Sequence, residues 1–339
     1  MPKIDYPWCY LFLGRRCEIT PTNQKKLKRL RYRKAAEQNY AMAQYNLGVC
    51  YVNGQGVVKD EVEAVKWYRK AAEQNLPDAQ FYLGVCYANG QGVAKDEVEA
   101  VKWYRKAAEQ NYAMAQCNLS LCYANGQGVV KDEVEALKWS RKSAEQGNAT
   151  GQLFLGSFYN DGLGVAQNYA EAAKWYRKAA DQGDAQAEFF LATYYALGKG
   201  VETNEVEALK WCRKAAEQNL KDAQFTLGST YFNGVGVPKD LQEALKWYRR
   251  AAEQGYVDSQ FYLGKMYSNG MGVETNYDEA TKWFRMAAEQ GNTNAQLCLV
   301  WIYIHGVGVP KVTWNRSTGL TKQQTKGYRM LNMRSAFFI

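Results

Sequence analysis

The residues of this chain whose types and spacing could do chemistry do not occur once; they recur. An Asp or Asn with a Glu three residues on appears as Asp60/Glu63, Asp96/Glu99, Asp132/Glu135, Asn168/Glu171, Asn204/Glu207, Asp240/Glu243 and Asn276/Glu279. Paired carboxylates can do acid–base work. The same spacing at the start of a helix has a plainer use. The Asp or Asn accepts from a free N–H of the first turn, and the Glu reaches back to the N–H of the cap. Presence in every full copy favours the cap. His305 is the single histidine, where a zinc site built on His or a His-activated nucleophile needs further ligands or an oriented partner. Beside Gly306, it reads as a helix-end residue. Gly54-Gln55-Gly56-Val57 lacks the Gly-Lys-Ser/Thr end of a phosphate loop and the strand before it, so it reads as a structural turn.

Trp67, Trp103, Trp139, Trp175, Trp211, Trp247 and Trp283 hold one fixed place. A large apolar ring repeated at an inward position is core rather than a ligand cage. The eight cysteines are Cys9, Cys17, Cys50, Cys86, Cys117, Cys122, Cys212 and Cys298. Cys50, Cys86 and Cys122 are equivalent residues of successive copies, expected to lie beyond the roughly 7 Å Cα limit of a disulfide. They read as reduced, small, buried side chains, which fits a reducing compartment.

What positions all of these is a unit of 36 residues. The stretch Ala41–Leu76 returns at Pro77, Ala113, Ala149, Ala185, Lys221 and Val257 without insertion. A fixed period of this size marks a stacked repeat protein, in which each unit buries its apolar stripe against the next. Numbering the slots of a unit from Ala41 as slot 1, Ala43, Leu47 and Tyr51 fall at helical spacing. They define a helix A, with Gly48 beside the stripe to admit a neighbouring helix. Gly54 closes it in the left-handed conformation. Asp60 opens helix B, whose Ala64, Trp67, Ala71 and Ala72 face inward. The expected fold is an all-α solenoid of helix–turn–helix units.

In chain order this predicts a non-repeat segment at 1–24, a half-repeat cap helix at 25–40 and seven full repeats at 41–292. A partial eighth repeat follows at 293–311, then a divergent tail at 312–339 with a degenerate capping helix near 322–334. Genuine caps and a truncated or recombined gene end leave the same trace. The net charge of +9 is concentrated at the two ends, so the repeats between are mildly acidic. That argues against a nucleic-acid groove, which gathers Lys/Arg on one face. The run Lys25–Lys34 reads as the solvated face of a cap helix, with an acidic partner or a membrane surface as the alternative. No apolar run approaches the roughly 18 residues of a membrane span. Trp8–Leu13, preceded by Asp5 and Pro7, makes a poor secretory signal. A monomer without cofactor or metal is expected, in the cytoplasm, with export as the alternative.

The string A-x-x-x-L-G-x-x-Y-x-x-G-x-G-V, followed by Asp/Asn, Ala and Trp-Tyr-Arg-Lys-Ala-Ala-Glu-Gln, resembles the Sel-one-like repeat, a relative of the tetratricopeptide repeat with a longer turn. The resemblance covers about Arg31–Lys311. It implies a right-handed α/α superhelix and a role as adaptor in assembling protein complexes. Some cysteine-rich bacterial members carry a β-lactamase label and a Cys pair bridging the helices of each unit. The slot one of those cysteines takes is held here by Ala71 or Ala72, a departure from their pattern. Function therefore divides between a non-enzymatic scaffold, an enzyme of that labelled kind, and a gene fragment without present role.

For the scaffold, helix geometry names a face. At 100° per residue, slots 2, 5, 6, 9, 12 and 13 point away from the core stripe, and by fold analogy they line the concave groove. The candidate partner-binding residues are Met42, Asp78, Met114, Thr150, Gln186, Asp222 and Asp258 at slot 2. Slot 6 adds Asn46, Tyr82, Asn118, Phe154, Phe190, Thr226 and Tyr262. Slot 9 adds Val49, Val85, Leu121, Ser157, Thr193, Ser229 and Lys265. These vary most from copy to copy, and scattered aromatics could anchor a peptide or a partner helix. Free drift of unused positions is the competing reading. Slot 5 (Tyr45, Phe81, Leu153, Phe189, Phe225, Phe261) stays mostly apolar and is expected to pack between units.

Overall fold

A computed structural model describes residues 21–308 of the chain. Cys9, Cys17, the segment 1–20, the tail from 309 and the capping helix expected near 322–334 lie outside the described residues. Among the described residues there are sixteen helices and no strand. After α1 (Pro21–Glu37) the A helices are α2 (Ala41–Asn53), α4 (Pro77–Asn89), α6 (Ala113–Asn125), α8 (Ala149–Asp161), α10 (Ala185–Leu197), α12 (Lys221–Asn233), α14 (Val257–Asn269) and α16 (Thr293–His305). The B helices alternate with them: α3 (Glu61–Glu73), α5 (Glu97–Glu109), α7 (Glu133–Glu145), α9 (Tyr169–Asp181), α11 (Glu205–Glu217), α13 (Leu241–Glu253) and α15 (Tyr277–Glu289). Helices of 13 residues are marginal in isolation, so their stability must come from packing.

The local signals set the helix ends. Gly54 sits at φ 62° and its N–H returns to the Cys50 carbonyl. Gly56 is glycine for a second reason. At φ 70°, its place for a Cβ lies 2.7 Å from the Lys25 carbonyl oxygen. At Gly92 the corresponding gap to the Glu61 carbonyl oxygen is 2.1 Å, so the turn of each repeat presses its backbone on the preceding B helix or cap.

At the start of helix B, Asp60 accepts from the Glu63 N–H at 2.9 Å, which is the expected cap. The returning half of the capping box does not form. The Asp60 N–H already donates to the Tyr51 carbonyl at the end of helix A. Glu63 is therefore left to bind Lys66 Nζ and Trp67 Nε1. The same carboxylate-to-indole bond recurs as Trp211 to Glu207 and Trp283 to Glu279.

The helices form two compact units. One holds the described residues up to Gly151 with Leu163–Val165; the other holds Gln152–Gly162 and the described residues from Ala166. Each is a run of stacked helix pairs, an α-solenoid. Leu47, Leu83 and Leu119 are fully buried in the first, as are Leu191, Leu227 and Leu263 in the second. The alanines of helix B, such as Ala71, Ala107, Ala215 and Ala251, are equally enclosed and let the backbones approach.

Within each unit, buried glutamines fasten joints between repeats. Gln80 donates to the Ala72 carbonyl of the preceding repeat and to Asn75 Oδ1, and accepts from Gln110 of its own repeat at 2.7 Å. Gln224, in the second unit, repeats this with Ala216, Asn219 and Gln254. A buried amide with its donor and acceptor both engaged holds repeat spacing without leaving a polar group unpaired.

Candidate interaction face

Every one of the twenty-one residues at slots 2, 6 and 9 is exposed or half-buried, whereas slots 3, 4 and 7 of the same helices are enclosed. The periodicity thus separates surface from core as the helical wheel predicts. The slots are not equivalent in what they do. Slot 2 carries exposed Met42 and Met114 in the first unit and exposed Asp258 in the second. Slot 9 changes from Val49, Val85 and Leu121 to Thr193, Ser229 and Lys265. The hydroxyls of the second group turn inward. Thr193 donates to the Phe189 carbonyl, and Ser229 shares a hydrogen bond with the Tyr248 hydroxyl at 3.0 Å.

Slot 6 sits above slot 28 of the preceding repeat. Tyr82 stacks on Tyr68 with ring centroids 5.9 Å apart, Phe190 lies on Tyr176 at 5.0 Å and Tyr262 on Tyr248 at 5.3 Å. Slot 5 packs between repeats, as expected, and also within its own repeat. Phe81 and Phe225 pack chiefly against helix B of their own repeat, on Tyr104 and Tyr248, and against Tyr112 and Tyr256 beyond it. Slot-5 rings reach the next repeat as well: Tyr45 lies 5.7 Å from Tyr82, against 5.8 Å from Tyr68 of its own repeat, and Phe225 lies 6.0 Å from Tyr262.

Slot 28 also explains slot 8. A Cβ at Gly48 or Gly84 would stand 2.6 or 2.7 Å from the ring of Tyr68 or Tyr104, and Gly228 and Gly264 face Tyr248 and Phe284 in the same way. Where slot 8 enlarges, slot 28 shrinks: Ser120 goes with Ser140, and Ala192 with Cys212. The buried Ser120 hydroxyl donates to the Ala136 carbonyl at 2.7 Å, so the exchange leaves no unpaired hydroxyl. No single copy carries this pairing; it shows only in slots 8 and 28 of the seven copies together. Two further contacts leave no mark in the residue spacing. Arg69 and Arg105 donate to the hydroxyls of Tyr87 and Tyr123 in the next repeat. Lys70, Lys106 and Lys214 lie over the rings of Trp67, Trp103 and Trp211 at 4.4, 4.1 and 4.1 Å, a cation–π cover for the outer side of each indole.

The groups that could react are held inert. Burial pushes the Cys86 and Cys122 thiols up to about 11, with a smaller push from Glu61 and Glu97. Burial alone raises Cys117 and Cys212 to about 12. A thiol in that state is a poor nucleophile near neutral pH, and no described cysteine is in a disulfide. His305 ends α16, stacked on Trp301 with Nδ1 2.9 Å from the Trp301 carbonyl. Among the described residues no group of three or more His, Cys, Asp or Glu is placed to hold a metal. No described helix is long and apolar enough to cross a membrane. One acid is out of pattern. Glu188 occupies the buried glutamine slot and accepts from Gln218 Nε2 at 2.8 Å. Burial raises its pKa above the usual carboxylate range, opposed by the Gln218 hydrogen bond and Lys214.

The family profile described as Sel1 repeat matches residues 41–76, 77–112, 113–148, 149–184, 185–220, 221–256 and 257–292. The chain belongs to the Sel1 repeat family. Among solved Sel1 repeat structures, it is similar to a protective antigen of uropathogenic Escherichia coli with an SLR fold. The identity is 44%, the TM-score 0.69, and the match covers 81% of this chain and 59% of that one. This chain thus spans less than two thirds of that protein's length. It is also similar to a Sel1 repeat protein of Oxalobacter formigenes, with 35% identity, a TM-score of 0.69 and coverage of 83% and 81%. No curated protein matches the chain at a significant level. Sel1 repeat proteins are generally scaffolds for protein interactions.

Proposed function

We infer that this Sel1 repeat chain is a non-enzymatic scaffold that holds a protein or peptide partner against the A-helix face formed by slots 2, 6 and 9. One observation carries the reading. The residues that differ most between copies are those left at the surface, while the buried residues that build the joints change little, and where slots 8 and 28 change they change as a pair. Drift of unused positions would also spare the joints, but it does not account for large apolar side chains kept in water. Met42, Met114 and Leu121 are 53, 47 and 41% exposed, and exposed apolar area that a monomer does not need marks contact surface. The slot-6 rings supply the aromatic anchors that dominate such interfaces.

The test is charge reversal on the face. Met42→Glu, Met114→Glu and Leu121→Glu together are expected to abolish retention of the partners that the wild-type protein captures from cells expressing it, with helix content unchanged by circular dichroism. Retention of every partner by that variant removes the face from consideration. The purified protein is expected to leave a chromogenic β-lactam unhydrolysed; turnover above the uncatalysed rate would restore the enzyme reading.

A further inference from the structure

Helix α1 departs from the B helices on the side that meets water. Counting back from Ala41, Lys25–Glu37 takes the slots that Glu61–Glu73 takes in α3. At slots 23 and 26 every full repeat sets a Glu against a Lys, from Glu63 with Lys66 at 2.9 Å to Glu279 with Lys282 at 3.5 Å. In α1 the two places are taken by Leu27 and Leu30, which are 48 and 44% exposed. Packing does not require the exchange. The enclosed side of α1 is buried Ala36 with half-buried Arg29 and Tyr32, and at 100° per residue both leucines lie on the side turned away from Ala36. The acid at slot 21 is replaced as well. Glu61 and Glu97 pair there with Lys59 and Lys95, whereas α1 has Lys25. From Gln24 to Lys34 the helix carries seven cations and no acid. Arg33 pairs with Glu37 at 3.0 Å, and among the described residues no other α1 cation has a carboxylate partner. The outward side of α1 is therefore two leucines bordered by exposed Lys26, Arg31 and Lys34.

We propose that this side of α1 binds the surface of an anionic phospholipid bilayer, with its cations on lipid phosphates and its two leucines at the boundary between headgroups and acyl chains. Cations around a small apolar centre fit an interface that is charged outside and apolar beneath, and a cluster of Lys and Arg on one helix is drawn to anionic lipid. An acidic polypeptide would answer the cations alone and gives no reason for leucines where the full repeats keep a Glu–Lys pair. The chain itself offers no anionic cover. Residues 1–20 hold Lys3, Arg15 and Arg16 against Asp5 and Glu18, and residues 309–339 hold six Lys or Arg and no acid. The surface shares no residue with slots 2, 6 and 9, so it stands apart from the interaction-face reading.

The experiment sediments the full chain with vesicles of phosphatidylcholine and phosphatidylglycerol in equal parts, and with vesicles of phosphatidylcholine alone. Binding to the anionic vesicles and not to the neutral ones is expected. Lys26→Gln, Arg31→Gln and Lys34→Gln together are expected to weaken that binding by about a hundredfold, roughly fivefold per cation. Leu27→Glu with Leu30→Lys installs the ion pair of the full repeats and leaves the net charge of α1 unchanged. It is expected to keep the thermal midpoint and to weaken binding by about tenfold. A wild-type chain that stays in solution with anionic vesicles, or binds neutral ones equally, overturns the proposal. So does a charge variant, folded by circular dichroism, that binds as wild type does. Poly-L-glutamate is the competing probe. If it displaces the wild type and the leucine variant alike, and the leucine variant keeps its full hold on the anionic vesicles, α1 is a surface for acidic polymers and the bilayer is the wrong partner.

Discussion

The first three repeats and the fifth to seventh share one skeleton and wear different faces. In both regions a buried leucine, a glutamine joint and a capped helix B recur at the same slots, as in Leu83, Gln80 and Asp96 on one side and Leu227, Gln224 and Asn204 on the other. At slot 9, the first region offers Val49, Val85 and Leu121 and the second Thr193, Ser229 and Lys265. The contrast teaches that repeat identity and surface chemistry are set by different residues. Changes to the skeleton should cost the same in either region, and changes to the face should cost stability in neither.

The largest effect is expected from breaking the size match between slots 8 and 28. Gly84→Ser in the first unit and Gly228→Ser in the second each drive a side chain into a tyrosine ring and are expected to lose about 2 kcal/mol. Adding Tyr104→Ser to Gly84→Ser recreates the Ser120/Ser140 pair of repeat 3. Denaturant unfolding should then show coupling of about 1 kcal/mol or more in favour of the double variant. Strict additivity would mean that the two slots do not constrain each other.

Next comes the one acid among the joint glutamines. Gln224 uses its oxygen toward Gln254 and its nitrogen toward the Ala216 carbonyl. Glu188 takes the Gln218 bond with one oxygen and has no donor for the other role unless protonated. Its carboxyl pKa is raised by burial, so the folded state holds the proton more tightly than the unfolded chain. The penalty is absent below the ordinary carboxylate range and grows as the pH rises through the raised value. Glu188→Gln is expected to stabilise the protein by about 1 kcal/mol at neutral pH, with the gain vanishing at about pH 4. Gln80→Glu should import the same penalty into the first unit. Equal unfolding midpoints of wild type and Glu188→Gln at neutral pH would count against this.

A similar or smaller loss, about 1 kcal/mol each, is expected for the caps Asp96→Ala and Asn204→Ala, equal in the two regions within the error of unfolding measurements. The smallest effect is the swap of faces. Leu121→Thr and Thr193→Leu should each change stability by less than about 0.5 kcal/mol. A larger loss at either position would make slot 9 part of the skeleton.

Much of this skeleton was legible in the sequence. The helix pairs, the glycine turns, the capping residues and the surface position of slots 2, 6 and 9 follow from spacing alone, because helical periodicity and backbone conformation are local. The contacts that were not legible are those made across repeats or by long side chains with several partners to choose from. Glu63 looked like the returning half of a capping box because spacing alone does not show that the Tyr51 carbonyl has already taken the Asp60 N–H. Nor does it show that Tyr87 receives Arg69, or that slot 5 leans on its own helix B as well as on the next repeat. The role of slot 6 as a cover for slot 28 depends on which side chains meet in space. Only the exchange at slots 8 and 28 left a trace in the sequence, as paired changes at Ser120/Ser140 and Ala192/Cys212.

The central claim, that partners bind to the A-helix face, is tested most directly by site-specific photo-crosslinking. A benzophenone side chain is placed at Leu121, on that face, and separately at Lys102, exposed on helix B. Each protein is irradiated with the partners it has captured. The account predicts partner adducts from position 121 and none from position 102. Adducts from position 102 with none from position 121 would contradict it.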